Sequence, residues 1–163
     1  DQIKILNENL AIINNKNKYP FSIKYELLDS FYDPNLSINE YIKNLYNLRN
    51  YDANSGGSKI GPHKSDLFAS VNKDIDASQL STGQQKTIVL MTLIAKCNYM
   101  INDKNLKPIL LFDEICSHLD EINRKILLDL INDFDIQFFL TGTDKSLFSF
   151  ISTNVEFYNI TEL

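Results

Sequence analysis

The run Pro108-Ile109-Leu110-Leu111-Phe112 is apolar at every position and stops abruptly at Asp113-Glu114. A strand with one wet face alternates polar and apolar residues. A strand without alternation is buried on both faces, as in a parallel sheet covered by helices. Ile136 to Leu140 repeats the pattern and ends at Thr141-Gly142-Thr143-Asp144. Between the two runs Leu119, Ile122, Ile126, Leu127, Leu130 and Ile131 recur at helical spacing. Upstream, Thr82 to about Ile101 reads as a long helix whose middle, Ile88 to Ala95, is apolar almost all round and has to be covered on most sides. Leu67 to Val71 reads as a short strand turned by Asn72-Lys73-Asp74, and a short helix near Lys145 to Phe150 precedes a last strand, Val155 to Ile160. This order of strands and helices predicts an α/β fold with parallel strands and crossover helices.

The N-terminal part is organised differently. Ile3, Leu6, Leu10 and Ile13 fall at 3, 4, 3 spacing and end at the polar run Asn14 to Lys18, about two heptads in all. Such a short stripe suits one amphipathic helix lying on a domain better than a coiled coil. Pro20 closes it, and Phe21, Ile23, Tyr25 and Leu27 then alternate as a half-buried strand does. Ser37 to Arg49 returns to helical spacing, and Asn50 to Gly61, rich in glycine, reads as a loop.

The chain has 163 residues, 44% apolar and 23% charged, enough for one core. It has no apolar stretch near the roughly 20 residues of a membrane-spanning helix. It begins Asp1-Gln2-Ile3-Lys4, without Met, which reads as a fragment or processed product. A net charge of −5 gives the whole chain no long-range attraction for nucleic acid, so any contact with DNA has to be local. Cys97 and Cys116 lie in no CxxC and near no His at ligand spacing, which argues for a reducing, cytoplasmic setting and against a zinc site.

Three constellations carry chemistry. Asp113-Glu114 ends an apolar strand, where ligands bind in open parallel sheets. An Asp there can hold magnesium through its water shell and a neighbouring Glu can orient an attacking water; the plain alternative is a solvated acidic start to a loop. Ser81-Thr82-Gly83-Gln84 opens the long helix. Its S-x-x-Q spacing is a capping box, which accounts for both residues without a ligand, while a helix N-terminus with a nearby glycine also suits a phosphate. Ser117-His118-Leu119-Asp120 fits a cap with Ser117 as N-cap and Asp120 at N3. Together, a Ser-x-Gly-Gln helix start, an apolar strand ending in Asp-Glu about 25 residues later, and then Ser-x-Leu-Asp form the signature, Walker B and D-loop succession of ATP-binding-cassette ATPases.

With Gly61-Pro62-His63-Lys64-Ser65-Asp66-Leu67 added, the chain resembles the C-terminal half of the RecF family of bacterial DNA replication and repair ATPases. Transporter cassettes and SMC-type heads share the other motifs but lack this element. The resemblance implies part of a P-loop NTPase head, residues 53–163, joined to the end of a helical arm, residues 1–52. It implies an ATP-dependent DNA-binding protein that dimerises around nucleotide, binds junctions of single- and double-stranded DNA, works with RecO and RecR to load recombinase at gaps, and serves the SOS response to DNA damage. By motif, Ser81, Gly83 and Gln84 would meet the γ-phosphate of nucleotide on the opposite subunit, and Asp113 would serve Mg2+. Glu114 would position the hydrolytic water and Asp120 would lie at the dimer seam. Thr141 and Thr143 occupy the place of a γ-phosphate sensor. His63 and Lys64 would either touch DNA or brace the core.

A phosphate loop, G-x-x-x-x-G-K-[ST], is missing. Gly56 and Gly61 have its spacing, but Pro62 stands where the lysine is needed and offers neither charge nor N–H. These residues alone are therefore expected neither to bind ATP tightly nor to hydrolyse it. The rival readings are a head fragment of an SMC-type ATPase, which the Gly61–Leu67 element opposes, and a non-enzymatic interaction module from a split gene, which the intact Ser81, Gly83, Asp113 and Glu114 oppose.

Overall fold

The computed structural model describes residues 2–17, 22–29, 33, 35–114, 116, 119–149, 151 and 155–160, and the side chains of these except 16, 17 and 122. Helix α1 (Gln2–Asn17) runs into the polar segment at which it was expected to stop. Its stripe packs on a mixed surface of strand and helix and forms no coiled coil among the described residues. Leu10 and Ile13 are buried against strand β1 (Ile23–Leu28) and helix α3 (Thr82–Asn102), with Ile3 and Leu6 at the margin of the same core. The single packed helix is the outcome; Phe21 and Pro20 lie outside the described residues.

Asparagines lock this packing. The Asn7 side chain donates to the Tyr25 carbonyl and accepts from the Tyr25 N–H, both at 2.8 Å, as a neighbouring strand would. This amide thereby closes the edge of β1 that faces α1. Asn98 on α3 donates to Asn9 Oδ1 at 2.6 Å and accepts from Asn102 at 2.8 Å, while Asn9 donates back to the Ile5 carbonyl at 2.9 Å. Asn9 and Asn98 are both buried, so the ladder satisfies polar groups that would otherwise cost free energy and sets how α1 sits along α3. Tyr25 adds a hydroxyl contact of 2.7 Å to Thr92 on α3.

Strand β1 pairs antiparallel with β2 (Asp66–Val71), which pairs antiparallel with the two-residue β3 (Ile75–Asp76). Asn72 in the turn between them ties back to Ser22 through two hydrogen bonds of 2.9 and 3.0 Å. This antiparallel sheet is separate from the parallel pair of strands, so Leu67–Val71, expected among parallel strands, lies instead in an antiparallel ladder. Helix α2 (Ile38–Ser55) starts at Ser37, whose side chain forms a reciprocal capping box with Glu40. That pair holds the Glu40 carboxyl below its usual range. The expected loop from Asn50 is corrected: the helix continues to Ser55 because no breaker intervenes. It ends where Gly56 takes a φ of +74°, a conformation glycine adopts without a Cβ penalty.

Helix α3 has the expected limits, but its covering differs. Ile88, Met91, Ile94 and Ala95 are buried, whereas Val89 and Leu93 on the other side are 58% and 43% exposed. Strands β4 (Leu110–Phe112) and β5 (Phe138–Leu140) pair in parallel, connected through helix α4 (Glu121–Asn132). Among the described residues the sheet is covered on one face only. Phe112 is buried under the helices, while the register pair Leu111 and Phe139 is 73% and 51% exposed. Burial on both faces, expected from the unbroken run, is not met by the described residues. Lys145–Phe148 forms a single 3-10 turn in place of a helix to Phe150. The strand expected at Val155–Ile160 is absent from the described residues there, and the Phe157 ring instead meets Phe148 edge-on at 6.3 Å.

Both cysteines are free and buried, and burial pushes both thiols up, Cys116 being partly offset by Arg124. No described helix is long and apolar enough to cross a membrane.

Replacing Asn98 by Ala strands the buried Asn9 Oδ1 and removes two hydrogen bonds. It is expected to lower unfolding free energy by about 1–3 kcal/mol in urea titrations. Asn102→Ala, at the exposed end of the ladder, should cost less.

Candidate functional site

Parallel pairing of β4 and β5 brings two chain segments together at their carboxyl ends. The Thr141 N–H donates to the Phe112 carbonyl at 2.9 Å, carrying the ladder one residue past the strands. The Thr141 hydroxyl then donates to Asp113 Oδ1 at 2.5 Å and accepts from the Glu114 N–H at 2.9 Å. Glu114 has a φ of +48°, a left-handed conformation that costs a non-glycine residue about 1 kcal/mol or more. Asp113 and Glu114 are both exposed to solvent. One Asp113 oxygen takes the hydroxyl; the other is the atom that fits a hydrated divalent cation. Among the described residues no group of three or more His, Cys, Asp or Glu gathers to hold a metal.

The loop beyond Thr141 is pinned from below. The Phe148 ring approaches Gly142 so closely that a Cβ there would lie 2.7 Å from a ring carbon, so this position admits no side chain unless the ring shifts. Asp144 caps the following turn by accepting from the Ser146 N–H at 2.7 Å, and these bonds hold its carboxyl below the usual range. Thr143 is exposed.

Ser81, Gly83 and Gln84 sit together at the N-terminus of α3. The capping box is formed: the Ser81 N–H donates to Gln84 Oε1 at 3.0 Å, the Ser81 hydroxyl donates to it at 3.1 Å, and the Gln84 N–H donates to Ser81 Oγ at 3.4 Å. Gln85 fixes the preceding turn by donating to the carbonyls of Ala77 and Ser78 at 3.2 and 3.1 Å. Ser81 and Gln84 remain exposed, so the cap and an approaching anion are compatible.

Asp120 caps α4, accepting from the Asn123 N–H at 2.8 Å. The expected cap at Ser117 is thereby corrected: the helix begins three residues later than that reading required, because Asp120 offers the first side-chain acceptor next to Glu121. Ser117 and His118 lie outside the described residues. His63 turns back on its own loop, its Nε2 lying 2.8 Å from the Ser58 carbonyl, while Lys64 is exposed. Ser65 donates to Asp29 at 2.5 Å, joining the Gly61–Leu67 element to the end of β1.

Three groupings result: Asp113, Glu114 and Thr141 in one cluster, Ser81, Gly83 and Gln84 in another, and Asp120 at a third helix start. The hydroxyl bridge from Thr141 to both acidic residues was not foreseen; the only sequence signal for it was a Thr directly after an apolar run.

A parallel β-α-β unit with acids at the end of its first strand, a long capped helix packed on its crossover helix and a separate antiparallel sheet make a fold shared with part of ATP-binding-cassette and SMC-type ATPase heads. A solved structure titled as the recombination mediator protein RecF with ATP superposes with a TM-score of 0.66 over 88% of this chain and 39% of that one, at 22% identity. An Smc head bound to the C-terminal winged-helix domain of ScpA superposes at 0.54 over 91% and 37%, at 20% identity. No family model matches the chain. DNA replication and repair protein RecF of Agrobacterium fabrum is 38% identical over 122 residues, which are 74% of this chain and 32% of that protein. RecF of Rhizobium rhizogenes is 37% identical over 136 residues, 82% and 36% of the two chains. The chain is a RecF homologue, and it spans about a third of the length of the curated relatives it matches.

Ser81→Ala should lower stability by about 1 kcal/mol through loss of the cap, with Ser81→Asp retaining most of it. Asp144 stabilises the Lys145–Phe148 turn only while ionised, because its folded pKa lies below the unfolded one. That contribution is complete above the ordinary aspartate range and is lost as pH falls through the lowered folded value. Following the Phe148 ring resonances from neutral to strongly acid pH should reveal this loosening, and Asp144→Asn should remove that acid step.

Proposed function

We propose that these residues supply the signature turn, the Walker B acids and the D-loop of a composite ATP site in a RecF-like protein of DNA replication and repair. The observation that carries the reading is the Asp113–Glu114–Thr141 cluster at the ends of paired parallel strands, in a chain 38% identical to a RecF over 74% of its length. Asp113 would serve Mg2+ through its outer oxygen. Glu114 would orient the hydrolytic water and take its proton as attack proceeds. Ser81 and Gln84, exposed at the positive end of α3, and the half-buried Gly83 between them would meet the γ-phosphate of nucleotide held by the opposite subunit of a homodimer. Asp120 would stand at the seam between subunits.

The bare sheet face supports the composite character. Leu111 and Phe139 lie side by side with their apolar surface in water, and covering each is worth about 1.5–3 kcal/mol. The remaining two thirds of a RecF-like protein, carrying the phosphate loop, is the natural cover. The RecFOR pathway named for the solved RecF–ATP structure supports RecO and RecR as partners, and the relatives' name supports DNA as the substrate. With a net charge of −5 in this chain, the phosphate contacts for a DNA junction would come chiefly from other parts of the protein. His63, folded onto Ser58, fits a bracing role, and Lys64 is the exposed basic candidate for DNA. A cytoplasmic location fits two free, buried thiols.

The decisive measurement is ATP turnover by this chain alone, by the remaining portion of a RecF relative alone, and by the two together. Hydrolysis is expected only in the mixture and should fall at least a hundredfold in Glu114→Gln. A stable complex that never turns over ATP would mark an interaction module instead.

A further inference from the structure

We infer that Thr141 is a positioning residue, a clamp that holds Asp113 and Glu114 in working geometry, and not itself a ligand of the nucleotide. The inference rests on the composite-site reading and deepens it. Two observations carry it. The first is that both functions of the Thr141 hydroxyl are committed within the chain: its proton goes to Asp113 Oδ1 at 2.5 Å and its oxygen accepts from the Glu114 N–H at 2.9 Å. A γ-phosphate oxygen would have to compete with the carboxylate for that one proton, and an anionic acceptor already in place at this distance is a strong competitor. The second is that the surroundings keep Thr141 where it is. Its N–H extends the strand ladder to the Phe112 carbonyl at 2.9 Å, and the Phe148 ring lies close against Gly142, the next residue.

The clamp has two effects on the acids. Tying Oδ1 of Asp113 stops that carboxylate rotating and leaves its other oxygen as the one fixed in direction for a cation's water. Bonding the Glu114 N–H holds the peptide at a φ of +48°, from which the Glu114 carboxylate projects. Without the hydroxyl the Glu114 N–H loses this bond to Thr141, and the left-handed backbone would relax toward ordinary φ. Thr141 thereby couples the end of β5 to the acids on β4, so a change in the Thr141–Asp144 loop is passed to both carboxylates together.

The test compares Thr141→Val, which keeps the shape but removes the hydroxyl, with Thr141→Ser, which restores it. In the 163-residue chain, amide hydrogen exchange at Glu114 should be about tenfold faster in Thr141→Val and near the parent rate in Thr141→Ser. Gly142→Ala, which drives the Phe148 ring against the loop, should also speed it. In the complemented ATPase, Thr141→Val should lower kcat by about tenfold or more with KM for ATP within about twofold, and Thr141→Ser should recover most of kcat. Unchanged Glu114 exchange in Thr141→Val overturns the clamp. A rise in KM with kcat preserved overturns it in favour of a nucleotide ligand. If the parent mixture shows no hydrolysis, the composite-site reading fails, while the exchange measurement still decides whether the clamp exists.

Discussion

Burial of the inner side of α3 is the interaction on which the other placements depend. Ile88, Met91, Ile94 and Ala95 form a surface that α1 and α4 both cover. α1 in turn carries β1 and its antiparallel partners through Asn7, and α4 is the crossover that sets β4 beside β5. The asparagine ladder adds little net energy, since each amide exchanges water for protein. Its contribution is selectivity, because any sliding of α1 along α3 would leave buried amides unpaired.

The same residues serve as local structure and as candidate chemistry. Ser81 and Gln84 complete a helix cap, Asp120 completes another, and Asp144 a third. A cap and an anion site are physically close relatives, since both answer the unpaired N–H groups of a first helical turn. The cap alone is therefore no evidence of function at any of these positions. The acidic cluster differs: Glu114 sits in an unfavourable backbone conformation and Asp113 is gripped by a hydroxyl, neither of which a plain loop after a strand requires.

Legibility varied with range along the chain. The limits of α3, its capping box at Ser81 and Gln84, and the strand at Leu110–Phe112 could be read because each depends on neighbours a few residues away. The end of α2 is not legible in composition: polar residues from Asn50 to Ser55 resemble a loop, yet the helix runs on until Gly56 releases it. The amide pairing of Asn7 with Tyr25 and of Asn9 with Asn98 had no sequence signal, because nothing in an asparagine tells which distant group it will meet. Apolar runs were over-read in one respect. Val89, Leu93, Leu111 and Phe139 showed that surface has to be covered, but not that the described residues do the covering.

By itself the amino-acid order determined the long helix α3, the apolar strands before Asp113 and Thr141, where the acids fall relative to a strand end, and that no phosphate loop lies within these residues. These follow from periodicity and spacing, which are properties of neighbouring positions. Only the tertiary structure decided that Thr141 bridges Asp113 and Glu114, that His63 bonds to Ser58 within its own loop, and that the described residues leave one face of the parallel pair bare. Each of these depends on a meeting in space that chain order does not record: residues far apart in sequence become hydrogen-bonding neighbours only when strands pair in one register, and a face is exposed only relative to what else has folded against it.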